Sequence, residues 1–177
     1  MIKRTGEKEI FKTEYITIKD IYLDTPKGKT TYQIIEKRDT ALIVPINSKQ
    51  EILFIKEFYV AANEYGLSLP KGRIDKGYDP LQTAGKELQE EIGFKAMRMD
   101  KLAVFSMSPG YLTQKTHVFL ARDLIKSRLQ GDELEDLEVI PYSFNQFEEL
   151  IVNGTLTESR SIAALFLVRK FLKANKI

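Results

Sequence analysis

Residues 72–94 read GRIDKGYDPLQTAGKELQEEIGF, and the interpretation of this stretch decides the fold. Asp79, Pro80 and Gln82 make a helix start, with an acid at the cap, proline at the first helical position and glutamine three residues after the cap. Gly93 supplies a stop. Between them Leu81, Ala84, Gly85, Leu88 and Ile92 recur at helical spacing, while Glu87, Glu90 and Glu91 fall on a separate arc. Residues three and four apart on a helix lie one above the other, so Glu87 sits beside both Glu90 and Glu91. Like charges so placed cost roughly 0.2–0.5 kcal/mol per pair, and the patch therefore needs open water or a cation. Hard cations such as Mg²⁺ take oxygen ligands and keep several waters, which leaves room for phosphate oxygens. Lys86, four residues before Glu90, is placed to pair with it.

Ahead of the helix, Lys71, Gly72, Arg73 and Gly77 belong to a loop with two glycines and two basic side chains, a composition suited to phosphate. Taken one at a time, these features equally describe a polar loop leading into a solvated acidic helix.

Working outward, residues 15–24 and 30–37 alternate apolar and polar and read as strands, joined through Pro26 and Gly28 into an antiparallel hairpin. Residues 41–46 and 51–58 read as central buried strands, with Pro45 marking a strand end, an edge or a bulge. Further strands are expected at 101–107, after which Ser108, Pro109 and Gly110 break the pattern, and around 118–120. A short helix over 144–152 stops at Asn153 and Gly154, and a longer one runs over about 158–174. Strands flanked by helices indicate one α/β (α+β) domain over 1–177, with an N-terminal arm over 1–40 and a core over 41–177.

The chain has 177 residues, 43% of them hydrophobic, enough for a proper core. Its formal charge of +2 is spread along the sequence, so no basic footprint points to nucleic acid or an anionic membrane. There is no cysteine, which excludes disulfides, thiolate metal sites and cysteine nucleophiles. The sole histidine, His117, lies in a strand-like run and gives no support to a Ser-His-Asp hydrolase. No apolar run approaches the length of a membrane span and no signal peptide is visible, so a cytoplasmic location is expected.

The stretch resembles the Nudix box, G-x5-E-x7-R-E-U-x-E-E-x-G-U with U apolar, through Gly72, Glu87, Leu88, Glu90, Glu91, Gly93 and Phe94. Two positions depart from it: Tyr78 stands at the family's first Glu and Lys86 at its Arg, positions that in the family interact and aim the metal-binding acids. The strands before the box, Ser108 to Gly110, and the ending SRSIAALFLVRKFL are similar to the ADP-ribose pyrophosphatase branch. That resemblance implies an α/β/α sandwich with a mixed sheet and an N-terminal hairpin. It also implies Mg²⁺- or Mn²⁺-dependent hydrolysis of a small ADP-linked compound (ADP-ribose, Ap3A, Ap2A or NADH), releasing AMP. Glu87, Glu90 and Glu91 would hold the metal, completed by a backbone carbonyl near Gly72. Lys71 and Arg73 are candidates for phosphate and Tyr59 and Tyr111 for the base, with Phe58 and Tyr65 bordering the same region. Auxiliary carboxylates common in the branch fall at Ser68 and Gln114, so the acidic loop with Asp132, Glu133, Glu135 and Asp136 is left to supply a general base, from Glu133 or Glu135. A homodimer is common in the branch. The alternatives are an RNA 5′-pyrophosphohydrolase, disfavoured by the missing basic patch, and a domain that senses ADP-ribose or another nucleotide without turnover.

Overall fold

A computed structural model describes residues 1–131 and 135–175. The chain forms two compact units, Met1–Asp39 with Phe105–Thr116, and Thr40–Val104 with His117–Ile177. The arm expected over 1–40 is thus joined within its unit by the segment around Ser108 to Gly110.

The first unit is an antiparallel sheet of β1 (Lys3–Lys12), β2 (Thr17–Thr25) and β3 (Gly28–Glu36), in that order. The expected hairpin is β2–β3, closed where Thr25 faces Gly28, and Gly28 takes φ +112°, in the left-handed region glycine tolerates. β1 was not legible as a strand, because it is an edge strand exposed almost throughout and rich in charge. With no buried face there is no apolar alternation, and the charges suit an edge that must not pair further. The Ser-Pro-Gly segment lies along β3: the Ile35 amide donates to the Tyr111 carbonyl at 2.7 Å and the Thr113 amide to the Ile35 carbonyl at 3.1 Å. Gln114, buried, donates its side-chain amide to the Arg38 carbonyl at 2.9 Å.

The second unit holds two sheets. One orders β7 (Lys71–Arg73), β4 (Thr40–Pro45), β9 (Lys115–Lys126) and β8 (Phe94–Ser106); the other orders β10 (Glu138–Ser143), β5 (Glu51–Tyr59) and β6 (Glu64–Ser68). β4 is buried along its whole length and ends at Pro45, where the missing N–H closes the ladder. Its Ala41 and Ile43 join Leu53 and Ile55 of β5, Phe119 and Ala121 of β9, and Ala84, Leu88 and Ile92 in one core cluster under helix α1 (Pro80–Glu91). Helix α3 (Ser159–Asn175) also packs on β4 and buries Ala164, Leu165, Val168 and Leu172. The short helix expected over 144–152 is a 3₁₀ turn at Phe144–Gln146 followed by α2 (Phe147–Val152), ended near Gly154 at φ +77°. Strands with helices on them make the α/β/α sandwich. Among the described residues no helix is long and apolar enough to cross a membrane.

β6 and β7 fall in short segments with little strand signal of their own. β7 is a three-residue ladder in which Leu42, Ala41 and Thr40 face Lys71, Gly72 and Arg73, so the segment expected to cradle phosphate is strand at its centre.

Candidate active site

Helix α1 brings the three glutamates together. Asp79 occupies its cap with extended dihedrals and its carbonyl accepts the Thr83 amide at 3.0 Å, but its side chain makes no capping bond. The expected carboxylate cap is therefore a cap by backbone position alone. Gly93, at φ +75°, ends the helix. Because Ala84, Leu88 and Ile92 are driven into the core, the neighbouring arc is pulled under the surface: Glu90 and Glu91 are each 6% exposed and Glu87 is half-buried. A solvated acidic face is excluded by this burial.

Buried carboxylates need compensation. Lys86 reaches Glu90, with Nζ 2.9 Å from Oε2, as the spacing along the helix allows. Glu91 accepts the Lys71 main-chain amide at 2.7 Å. Burial pushes the Glu91 carboxyl well above the usual carboxylate range; the Lys71 ammonium and amide oppose this, while the charges of Glu87 and Glu57 add to it. Gly72 faces Glu87 so closely that a Cβ there would overlap the carboxylate. Glycine thus leaves this space to the Glu87 carboxylate, through a close approach rather than a turn.

The basic residues of the box loop are already engaged. The Lys71 ammonium bonds Glu57 and, at 2.9 Å, the hydroxyl of Ser68. Arg73 Nε lies 3.4 Å from Asp75. The Tyr59 hydroxyl donates to the Leu67 carbonyl at 3.0 Å and its ring lies against Gly66; burial, then the charge of Glu57, pushes its pKa up to about 12. Tyr111 belongs to the first unit, where it is exposed. Glu57 is the residue that sequence reasoning passed over. A signal existed, because it has the same parity along β5 as the core residues Leu53 and Ile55, and a carboxylate in a core-facing row demands a partner.

A cavity of about 500 Å³ opens beside the end of α1, lined by Glu90, Arg128, Gln130, Glu135, Asp136 and Leu137 among others. The chain after β9 forms its wall, since the Leu129 amide donates to the Gln89 carbonyl at 3.2 Å and the Ser127 amide to the Gly93 carbonyl at 2.9 Å. Glu135 lines this cavity with Glu90 and accepts the Tyr65 hydroxyl at 3.1 Å, and Tyr65 meets Phe58 edge to face, 5.2 Å between centroids. Glu133, the other candidate base, lies outside the described residues, as does Asp132.

Among the described residues no three acidic or histidine side chains converge tightly enough to enclose a cation as they stand. The donor set nevertheless fits a hard divalent ion: its side chains are all carboxylates, Glu90 and Glu91 are buried, and the space at Gly72 is reserved for the Glu87 carboxylate.

A model of the NUDIX domain matches residues 36–165. The chain is 33% identical over 167 residues to the ADP compounds hydrolase NudE of Escherichia coli (strain K12), covering 93% of this chain and 89% of that protein. It is 26% identical over 179 residues to an ADP-ribose pyrophosphatase of Bacillus subtilis (strain 168), covering 98% and 97%. A crystal structure of an ADP compounds hydrolase superposes with a TM-score of 0.91 at 30% identity, over 98% of this chain and 95% of the other. With Glu90 and Glu91 buried on α1, a family model over most of the chain and a relative 33% identical, the chain belongs to the Nudix family and is a Nudix-type pyrophosphatase.

Proposed function

We infer that the protein hydrolyses the pyrophosphate bond of small ADP-linked compounds, such as ADP-ribose, Ap3A, Ap2A or NADH, and releases AMP. The observation that carries this reading is the pair of buried carboxylates, Glu90 and Glu91, on a helix whose end lines a cavity large enough for a nucleotide. Glu87, Glu90 and Glu91, with the main chain at Gly72, would hold Mg²⁺ or Mn²⁺. Such an ion, when bound, supplies charge neutralisation on the phosphates and lowers the pKa of an attacking water. Glu135 lines the same cavity, and its carboxylate, which accepts the Tyr65 hydroxyl, would serve as the base for the attacking water. Addition of one water across the P–O–P bridge of ADP-ribose gives AMP and ribose 5-phosphate.

AMP release from a panel of ADP-ribose, Ap3A, NADH, GDP-mannose and triphosphorylated RNA, with Mg²⁺, with Mn²⁺ and with chelator, tests the reading. Turnover of ADP-linked substrates that chelator abolishes is the expected result. Tight nucleotide binding with no turnover under any metal overturns it in favour of a sensor, and preference for RNA overturns the substrate class. We also infer a cytoplasmic homodimer. The support for pairing is the apolar surface of the first unit, where Ile10, Phe11, Tyr15, Tyr22 and Tyr32 are all exposed.

A further inference from the structure

Lys71 joins two networks. Its main chain pairs with Leu42 of β4 and donates to Glu91, whereas its side chain crosses to the other sheet and bonds Glu57 of β5 and Ser68 of β6. The side chains of Lys71 and Glu57 are 13% and 23% exposed, and Ser68 is fully buried with its hydroxyl donated to Glu57 at 2.7 Å. A lysine stem is flexible, and a residue whose own amide touches Glu91 carries an ammonium able to swing onto that carboxylate. An ammonium seated on Glu91 competes directly with a divalent cation for the same oxygens.

We propose that Glu57 is a positioning residue that holds the Lys71 ammonium away from Glu91, keeping that carboxylate available to the divalent cation. The inference rests on the reading of Glu91 as a metal ligand. Glu57 and Ser68 give the ammonium a partner of opposite charge and a hydroxyl acceptor inside the second unit. Removing the Glu57 charge leaves a largely buried cation beside neutral oxygens alone, and Glu91, already bonded to the main chain of the same residue, offers it a compensating charge. Glu57 thus acts on the metal site through a residue that lies between them, without touching the metal itself.

The test is Mn²⁺ binding to the full chain without substrate, followed by calorimetry or by loss of the free-ion paramagnetic resonance signal. Glu57→Gln should weaken Mn²⁺ about 10-fold to 100-fold, the range usual for residues behind a metal ligand. In hydrolysis assays it should raise the Mn²⁺ concentration needed for half-maximal rate while leaving the rate at saturating Mn²⁺ near that of the parent. The decisive measurement is the double variant Glu57→Gln with Lys71→Met, which removes the competing ammonium and should restore Mn²⁺ affinity. Wild-type affinity in Glu57→Gln, or a double variant as weak as the single one, overturns the proposal. If Glu57→Gln does not fold, Lys71→Met alone decides: affinity equal to or tighter than wild type supports the proposal, and weaker affinity overturns it. Glu91→Gln separates the two levels of inference. If it keeps wild-type Mn²⁺ affinity, the metal assignment itself fails; if it loses affinity while Glu57→Gln does not, the role of Glu57 alone fails.

Discussion

Gly72 and Glu91 enter the proposed chemistry in different ways, and their substitutions separate geometry from stability. A methyl group at residue 72 falls on the Glu87 carboxylate, the mobile end of a half-buried side chain, so the fold yields by moving that carboxylate. Gly72→Ala should therefore leave the melting temperature nearly unchanged, within about 0.5 kcal/mol of stability, while a displaced catalytic group lowers kcat on the order of 100-fold. Steady-state kinetics alongside thermal unfolding checks this, and a large loss of stability with intact kcat contradicts it. Glu91→Gln should abolish hydrolysis in a folded protein, because it keeps the acceptor for the Lys71 amide but removes the charge; full activity in that variant ends the metal assignment. At the position of the family's Arg, Lys86 pairs with Glu90, so this position retains a link to one of the acids proposed to hold metal. Tyr78, at the other position, is exposed, and its amide donates to Asp75 at 3.0 Å within the loop.

Among the elements, α3 is held at its start by Glu158. One carboxylate oxygen accepts the Ser161 amide and hydroxyl, both at 2.8 Å, and the other accepts Arg160 Nε at 2.7 Å. Burial alone raises the Glu158 pKa, but the Arg160 charge and the Ser161 bonds outweigh it, so the carboxyl titrates below its ordinary range. A depressed folded-state pKa contributes stability that is present above the unfolded value, about 4.3, and is lost as pH falls through the lower folded value. Glu158→Gln should cost about 1 kcal/mol at neutral pH, and its melting deficit should shrink as pH falls below about 4. A deficit that stays constant down to pH 3 rules this account out. In β6, Gly66 lies under the Tyr59 ring, which is also tethered through its hydroxyl to Leu67. Gly66→Ala should destabilise by about 1–3 kcal/mol, the usual cost of forcing extra volume into a packed site, read as a lower melting temperature.

On the scale of the whole molecule, the first unit exposes large apolar side chains and the second carries the candidate site. Sedimentation should give the mass of a dimer, and replacing Phe11 and Tyr32 by Ser should shift it toward monomer. A monomeric mass for the unaltered chain at micromolar concentration removes the homodimer from the reading. Much of the fold was legible because it follows from local chemistry. α1, Gly93 as its stop, the end of β4 at Pro45 and the hairpin β2–β3 depend on dihedral preferences and on hydrophobic period, which neighbouring residues set among themselves.

The sequence by itself determined that three carboxylates share one helical arc, that Lys86 stands within reach of Glu90, and that the pattern resembles a Nudix box. Only the tertiary structure decided which way that arc faces and what surrounds it. Burial of Glu90 and Glu91 depends on how deeply α1 sinks onto β4 and β5, and the Lys71–Glu57–Ser68 contact joins strands from two sheets. β1, β6 and β7 escaped notice for the same reason, since a polar edge strand and two short strands take their identity from the strands they pair with. Helix period and turn chemistry are written in successive residues, whereas desolvation and long-range pairing are set by chain segments that meet only after folding.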